Sequence, residues 1–146
     1  HSVSYIEDRV DNSVDYVLGP QVTSPLREPK DFLEAIAKIQ SSEADSLLSV
    51  VRIEDHFIWE GHSKGGYRPT NYDHRKRKPR QQIDSRFLEN GSFYLFTPEL
   101  LRQTRSRLGG EIEIYVMDKY KVFQIDNNDD IRLCSTIMRA YGLDRL

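Results

Sequence analysis

The sequence predicts an α/β fold with a three-layer arrangement, in which helices cover both faces of a central sheet. Short apolar runs of strand length alternate along the chain with stretches of helical periodicity, and this alternation is typical of the class. With 146 residues, 38% of them hydrophobic and 30% charged, the chain has the size and composition of one globular domain.

The first third of the chain predicts two strands that flank a helix. A buried strand over residues 14–18 follows a polar stretch, residues 1–13, that could end a helix. Asp31 is predicted to cap the next helix, because Glu34 completes a capping box and apolar residues follow at helical spacing. The second predicted strand is the apolar run Ser46–Ile53.

Regular structure is predicted to resume after a long irregular stretch, residues 54–86, which shows no clean period. A strand is expected over residues 91–96, and then a short helix that Thr97 caps, with Pro98 at its first position. Apolar and polar residues alternate over 112–116, which predicts a strand whose isoleucine and valine side chains form the buried face.

The last part of the chain predicts a strand over residues 121–125 and a C-terminal helix. Asn127 or Asn128 is predicted to cap this helix, and Gly142 is predicted to end it. The side chains expected on its buried face are Ile131, Leu133, Cys134, Ile137, Met138 and Tyr141.

Charge and cysteine content exclude several kinds of protein. The net charge of -2 gives no overall basic footprint, so nucleic-acid binding is not expected without a local patch. Cys134 has no partner for a disulfide within the chain, which fits a reducing, cytoplasmic compartment. No apolar run approaches the ~20 residues of a membrane span, and no signal-peptide pattern is present. Because the chain begins at His1 rather than methionine, its N-terminus is expected to be cut or processed.

The most informative motif is the Thr-Ser-Pro-Leu-Arg sequence of residues 23–27. Thr23 and Ser24 offer hydroxyl and backbone donors, proline fixes the chain direction, and Arg27 offers two parallel donors, as an anion site at a strand end requires. The alternative is a well-made turn in which Arg27 caps a helix or pairs with Glu28.

The basic run of residues 75–80 allows three interpretations: a solvated loop, a nucleic-acid or localisation patch, or a clamp for an anionic small molecule. Gln81, Gln82 and Asn90 follow it along the chain. Arginine and amide side chains together suit a ligand that carries carboxylate, amide and hydroxyl groups, which favours the third interpretation.

Asp126 is a candidate metal ligand, because a carboxylate at a strand end beside a phosphate site commonly holds Mg²⁺. Helix capping is the alternative, and it explains Asp129 and Asp130 better than it explains Asp126. The three histidines of the irregular stretch have spacings that fit no standard zinc pattern.

Taken in order, five segments resemble the acylneuraminate cytidylyltransferases, the CMP-sialic acid synthetases. The resemblance extends from about Asp15 to Leu143, and it rests on residues 21–27, 79–82, 89–94, 114–117 and 123–126. It implies a nucleotidyltransferase, Rossmann-like sheet, of which this chain would be the C-terminal portion. It also implies transfer of CMP from CTP to a nine-carbon, sialic-type keto acid with release of pyrophosphate, and Mg²⁺ as the cofactor.

The resemblance further implies a protruding segment, residues 55–80, that mediates homodimerisation and reaches the partner's sugar site. The residues expected to be catalytic are Arg27 and Asp126, with Asp126 as the metal ligand. The residues expected to bind substrate are Gln21, Thr23, Ser24, Arg80, Gln81, Asn90 and Tyr94. The implied partners are CTP, the sugar acid and a second copy of the chain, without a membrane or nucleic acid.

Two departures from the family pattern bear on activity. The stretch that carries the basic, glycine-containing triphosphate loop is not in this sequence, so the domain is expected to be N-terminally incomplete and inactive alone. Gln124 replaces the first aspartate of the metal pair, and a neutral amide is a poorer Mg²⁺ ligand than a carboxylate. The alternative function is therefore a non-catalytic sugar-binding or assembly module of the same fold.

Overall fold

The computed structural model describes residues 2–10, 12–54 and 57–145, except for the side chain of Arg80. The helices are α1 (Ser2–Val10), α2 (Pro29–Ser42), α3 (Pro98–Thr104) and α4 (Asn128–Tyr141). The strands are β1 (Val17–Pro20), β2 (Ser46–Ile53), β3 (Trp59–Gly61), β4 (Tyr67–Pro69), β5 (Arg86–Phe96) and β6 (Ile112–Met117). Short 3-10 helices span Arg80–Gln82, Lys119–Val122 and Leu143–Arg145.

Four strands form a mixed sheet in the order β1-β5-β2-β6. Strand β5 runs antiparallel to both β1 and β2, whereas β2 and β6 are parallel. The pairing of β2 with β5 shifts register between Leu48 and Val50, opposite residues 89–94 of β5. Residues 90–93 of β5 therefore have no register partner in β2, and the candidate site lies at this interruption.

Helices pack on both faces of the sheet, and the α/β class predicted from the sequence is confirmed. On one face, Ala35 and Ile39 of α2 pack in a buried cluster with Phe93. On the other face, Leu100 of α3 packs against Tyr94. Adjacent residues of a strand point to opposite faces, so Phe93 and Tyr94 show that α2 and α3 cover different faces of the sheet.

The boundaries of the first elements differ from prediction. Strand β1 covers Val17–Pro20 rather than residues 14–18. Helix α2 begins at Pro29, with Glu28 as its N-cap, so the prediction that Asp31 caps the helix was wrong. Asp31 is the third helical residue, and its carboxylate accepts a hydrogen bond from the Glu28 backbone N–H at 2.7 Å. Proline fits the first helical position because it has no N–H to satisfy, which moves the start of the helix upstream.

Strand β2 has the predicted bounds, Ser46–Ile53. Strand β5 begins at Arg86, five residues before the predicted strand over 91–96. The stretch predicted to be irregular contains a small antiparallel hairpin, in which Trp59 pairs with Pro69. These strands are three residues long, too short for a periodic pattern to reveal them.

Strand β6 forms where predicted, but its buried face was assigned wrongly. Tyr115 and Met117 are buried, whereas Ile112 and Val116 are 53% and 44% exposed. The apolar alternation fails here because α2 covers the other side of this edge strand. The strand predicted over residues 121–125 is also wrong, since a 3-10 helix at Lys119–Val122 precedes irregular backbone.

Helix α4 begins and ends as predicted. The Asn127 side chain accepts hydrogen bonds from the backbone N–H groups of Asp129 and Asp130, and Gly142 ends the helix with φ of 70°. Cys134 is buried as expected, but three residues predicted to be buried on this helix are substantially exposed: Ile131, Leu133 and Tyr141. No helix among the described residues has the length and apolar character needed to cross a membrane.

Candidate functional site

Three segments converge on Gly91 of β5, and we refer to the residues that meet there as the Gly91 cluster: Gln21, Ser24, Arg27, Asn90, Gly91 and Gln124. The turn after β1 is tied to β5 by the Gln21 backbone N–H, which donates to the Ser92 carbonyl at 2.9 Å. The buried hydroxyl of Ser24 donates to the Gly91 carbonyl at 3.2 Å. The predicted anion loop therefore lies directly against the predicted Asn-Gly motif.

Arg27 links the turn after β1 to β5. Its Nη1 donates to the Gln21 carbonyl at 2.7 Å and to the Ser92 carbonyl at 3.1 Å. Burial lowers the pKa of this guanidinium, although it stays charged. Its Nε and Nη2 have no partner among the residues that the structure describes, so one edge of the guanidinium remains available to an anion. The ion pair between Arg27 and Glu28, considered above as an alternative, does not form among the described residues, and Glu28 pairs with Lys30 and Lys121 instead.

Gly91 is required by close packing as well as by its backbone. Its φ of 60° lies in the left-handed region that favours glycine. A β-carbon at this position would lie 2.9 Å from Nε2 of Gln124 and 3.2 Å from Oε1 of Gln21. The two glutamine side chains thus meet over the glycine, and they close the gap between the turn and the segment before α4.

The segment 123–126 is held against the turn and against β5. The Ile125 backbone N–H donates to the Thr23 carbonyl at 2.8 Å. Nε2 of Gln124 donates to the Asn90 carbonyl at 2.7 Å. Asp126 follows with an exposed side chain, and its backbone N–H donates to the Asp130 carboxylate at 2.9 Å. The backbone of Thr23 therefore lies against that of Ile125, the residue that precedes Asp126.

Asn90 is 1% exposed and is committed to internal contacts. Its Nδ2 donates to the Lys121 carbonyl at 3.0 Å and contacts the Met117 sulfur at 3.2 Å. In this arrangement the side chain supports the cluster from within, and the backbone carbonyl of Asn90 is the group that faces Gln124.

Beneath the cluster lies a buried ion-pair network around Lys121, whose side chain is fully buried. Its Nζ donates to Asp31 at 2.8 Å and to Glu28 at 2.7 Å. Burial by itself lowers the pKa of Lys121, but the hydrogen bonds with Asp31 and Glu28 outweigh it and raise the pKa above the usual value. The hydrogen bond from Lys121 lowers the pKa of Glu28. This network ties the start of α2 to the 3-10 helix that carries the Lys121 carbonyl.

Tyr94 lies on the opposite face of the sheet from Asn90, so the structure does not bring these two predicted residues together. Tyr94 is 3% exposed, and its hydroxyl donates to the Glu89 carboxylate. The Arg107 guanidinium stacks over the Tyr94 ring at 3.7 Å from the ring centre. Burial and the hydrogen bond with Glu89 raise the pKa of Tyr94.

Gln81 is exposed in the 3-10 helix Arg80–Gln82, at the base of the segment predicted to mediate dimerisation. No hydrogen bond joins Gln81 to the Gly91 cluster within the part of the chain that the structure describes. The predicted role of Arg80 falls on a side chain outside the described residues. Next to this helix, residues of the basic run line a cavity of about 300 Å³ with Phe57 and Tyr72.

The residues present fit Mg²⁺ only in part. Asp130 accepts backbone hydrogen bonds from Asp126 and Asn127, and Gln124 presents its N–H to a carbonyl. Asp126 is therefore the carboxylate of the 123–126 segment that remains as a candidate ligand. In the described ranges, no three carboxylate, imidazole or thiolate groups lie close enough to hold a metal. Since Mg²⁺ is often held by one or two carboxylates together with substrate phosphates, Asp126 is compatible with a substrate-dependent site.

Ser92 carries the one buried side-chain oxygen without a hydrogen-bond partner among the described residues. Replacing Ser92 with alanine is expected to raise the free energy of unfolding by about 1 kcal/mol, because an unsatisfied polar group leaves the interior. Ser49 is the matched control, since its buried Oγ accepts the Phe93 N–H at 3.0 Å. Ser49→Ala is expected to lower the free energy by about 1–3 kcal/mol in the same urea titration. If Ser92→Ala instead lowers the free energy of unfolding, the conclusion that the Ser92 hydroxyl is unsatisfied is wrong.

The fold and the cluster define an α/β protein with polar groups gathered where β1 ends, and comparison with known proteins specifies the family. No protein-family model matches the chain. An N-acylneuraminate cytidylyltransferase of Oncorhynchus mykiss is 37% identical over 112 residues, which are 75% of this chain and 25% of that protein. N-acylneuraminate cytidylyltransferase A of Danio rerio is 35% identical over 137 residues, 92% of this chain and 31% of that protein.

A bacterial relative has the same name. The N-acylneuraminate cytidylyltransferase of Streptococcus agalactiae serotype V is 28% identical over 127 residues, 86% of this chain and 30% of that protein. The chain therefore spans about a quarter to a third of the length of these relatives. Over most of its own length it is related to the N-acylneuraminate cytidylyltransferases, which confirms the predicted resemblance.

Two features of the site were not anticipated from the sequence. Gln124 was noted as a lost carboxylate, but its hydrogen bond to the Asn90 carbonyl was not foreseen. The stacking of Arg107 on Tyr94 was also missed. Arg107 lies among the charged residues after α3, where no periodic signal distinguishes it from a solvated side chain.

Proposed function

We propose that the protein to which this chain corresponds transfers CMP from CTP to a nine-carbon, sialic-type keto acid and releases pyrophosphate. The observation that supports this most is that the turn with Gln21 and Arg27 packs against the segment that carries Gln124 and Asp126, in a chain related to N-acylneuraminate cytidylyltransferases. In this reaction the anomeric hydroxyl oxygen forms a bond to the α-phosphorus of CTP, and the bond to the departing pyrophosphate breaks.

Catalysis of this kind depends on positioning and charge stabilisation. The free edge of the Arg27 guanidinium is placed to donate to a phosphate or carboxylate, while Nη1 fixes the group on two carbonyls. Gln21, Thr23 and Ser24 form the substrate-binding turn, and Asn90 supports it from the interior. Asp126 would hold Mg²⁺, which when bound neutralises charge on the α-phosphate.

The full-length protein tests this proposal directly. We expect CTP, Mg²⁺ and a panel of nine-carbon keto acids to yield pyrophosphate, whereas CTP without a sugar acid yields only background. Asp126→Asn is the matched variant, and it should lower the rate without preventing folding, because this side chain is exposed. Absence of pyrophosphate with every acid would refute the proposed reaction.

We also propose that the protein is a homodimer and that segment 55–80 contributes to the interface. The described part of this segment exposes large apolar side chains: Ile58 at 52%, Trp59 at 49% and Tyr67 at 80%. Such a group is unfavourable on a free surface. Light scattering of the full-length protein at micromolar concentration is expected to give twice the mass of one polypeptide. A monomeric mass would contradict this expectation.

A further inference from the structure

A cavity lies at the base of segment 55–80, between the basic run and the residues that flank the β3-β4 hairpin. Its volume is about 300 Å³, at the lower end of the range for sites that hold small molecules. The described lining falls within residues 57–86, so it contains no member of the Gly91 cluster. It combines aromatic rings with cations, and the side chains that bear on its chemistry are Phe57, Tyr72, Lys76, Arg77, Lys78 and Arg86.

The backbone that carries the two rings is held in place on both sides of the hairpin. The Ile58 N–H donates to Oδ1 of Asn71 at 3.0 Å, and the Thr70 N–H donates to the Ile58 carbonyl at 2.9 Å. Nη2 of Arg86, in β5, donates to the Asn71 carbonyl at 2.7 Å and ties this base to the main sheet. A ligand therefore meets walls that are already formed, which reduces the entropy lost on binding.

The rings pack with a cation of the basic run. The ring centres of Phe57 and Tyr72 are 4.3 Å apart, and the Arg77 guanidinium carbon lies 4.2 Å from the centre of the Phe57 ring. Both rings are partly buried, unlike the exposed apolar side chains that we assign to the dimer interface. Stacking engages the face of the Arg77 guanidinium and leaves its N–H edge open to an anion.

The charge of the lining favours an anionic ligand. Among the described residues, the cations of residues 76–78 have no carboxylate within ion-pair distance. Two carboxylates, Asp73 and Asp84, also line the cavity, and Asp73 already accepts the Arg75 backbone N–H at 2.9 Å. Because the cations outnumber the carboxylates, the cavity attracts negative charge, and Asp84 remains as an acceptor for a hydroxyl group.

We propose that this cavity binds a nucleoside monophosphate. Residues 76–78 hold the phosphate by charge-assisted hydrogen bonds, the base packs against Tyr72 and Phe57, and Asp84 accepts a ribose hydroxyl. Cations alone recognise any anion, whereas the rings beside them select one that carries a flat ring, since nucleobases stack on aromatic side chains. The volume suits one nucleotide, and the net charge of -2 gives no extended basic surface for a strand of nucleic acid.

Equilibrium dialysis of the full-length protein against labelled AMP tests this site, with ribose 5-phosphate as the probe that lacks a base. Arg77→Gln combined with Lys78→Gln is expected to weaken the binding of both probes about 10- to 100-fold, as loss of charged hydrogen bonds does. Tyr72→Leu is expected to weaken AMP binding about 5- to 100-fold, because it removes a stacking surface. The affinity for ribose 5-phosphate should then change less than about twofold.

Two matched controls accompany these variants. Arg75→Gln removes a charge of the same run, but Arg75 is not among the lining residues that the structure describes, so neither affinity should change more than about twofold. Tyr72→Phe keeps the ring and should bind AMP as the wild type does. Melting temperatures of all variants separate misfolding from lost binding.

Several outcomes overturn the proposal: no AMP binding by the wild type, wild-type affinity in the double variant, or equal weakening by Arg75→Gln. Unchanged AMP binding in Tyr72→Leu would also overturn it, because the site would then recognise phosphate alone. If a single-stranded oligonucleotide binds far more tightly than AMP, the basic run is a nucleic-acid patch instead. The dialysis needs neither CTP nor a sugar acid, so failure of the proposed transfer reaction is a separate result.

Discussion

Replacement of Lys121 with methionine is expected to lower the free energy of unfolding by about 3–5 kcal/mol. Methionine fills a similar volume, but it leaves Asp31 without its partner in the interior, where Asp31 is 1% exposed. Removing one member of a buried ion pair is costly because the remaining charge stays desolvated. Chemical denaturation measured by circular dichroism would give the difference.

Two further variants show whether the unpaired Asp31 carboxylate causes the loss of stability in Lys121→Met. Lys119→Met, on the same 3-10 helix but at an exposed position, should change the free energy by less than about 0.5 kcal/mol. Adding Asp31→Asn to Lys121→Met should recover part of the loss, because the second charge is removed. If the double variant is no more stable than the single one, the ion pair is not the source of the effect.

The ion pair between Lys121 and Glu28 makes the stability of the fold depend on pH. The pKa of Lys121 is raised on folding, so its contribution to stability is complete below about pH 10 and is lost as the pH rises further. The pKa of Glu28 is lowered, so its contribution is present above about pH 4 and is lost on acidification. The difference between wild type and Lys121→Met should therefore be greatest between these limits.

Conversion of Gln124 to aspartate is expected to increase Mg²⁺-dependent CMP transfer by the full-length protein on the order of a hundredfold. An aspartate here would stand two residues before Asp126 and complete a pair of carboxylates. The neutral amide instead donates to the Asn90 carbonyl at 2.7 Å and offers the metal no charge. Initial rates of pyrophosphate release over a Mg²⁺ titration measure both the rate and the apparent metal affinity.

Gln124→Asn is the matched control, because it shortens the side chain as aspartate does but stays neutral. It should lose the hydrogen bond to Asn90 without gaining metal affinity. If aspartate and asparagine behave alike, the charge at this position does not limit turnover. If the full-length protein is silent with either residue, the alternative of a non-catalytic module becomes the better account.

Sequence patterns correctly predicted those elements whose bounds depend only on residues within or next to the element. The run Ser46–Ile53 is buried along most of its length, so its apolar composition alone marks the strand. Asn127 and Gly142 determine the ends of α4 through their own side-chain and backbone chemistry. The prediction at Asp31 failed because the helix uses an earlier start, in which Pro29 is the first helical residue and Glu28 forms a capping box with Asp31.

The parts that failed depend on contacts distant in sequence. Lys121 stands among polar residues, and its burial follows from Asp31 and Glu28 about ninety positions earlier. The exposed face of β6 follows from where α2 packs, which no pattern within the strand records. The family motifs located the turn and Gln124 in the sequence. Their meeting over Gly91 required the folded sheet, because Gln21 and Gln124 lie at opposite ends of the chain.

The chain leaves the sheet after Ile53 and returns at Arg86, and these two residues are register partners in adjacent antiparallel strands. The whole excursion between them is therefore, in topological terms, an enlarged hairpin connection. Closing such a connection becomes only about 0.6 kcal/mol harder for each doubling of its length. Evolution can lengthen, shorten or exchange this appendage without changing how the strands that support the Gly91 cluster pair with each other.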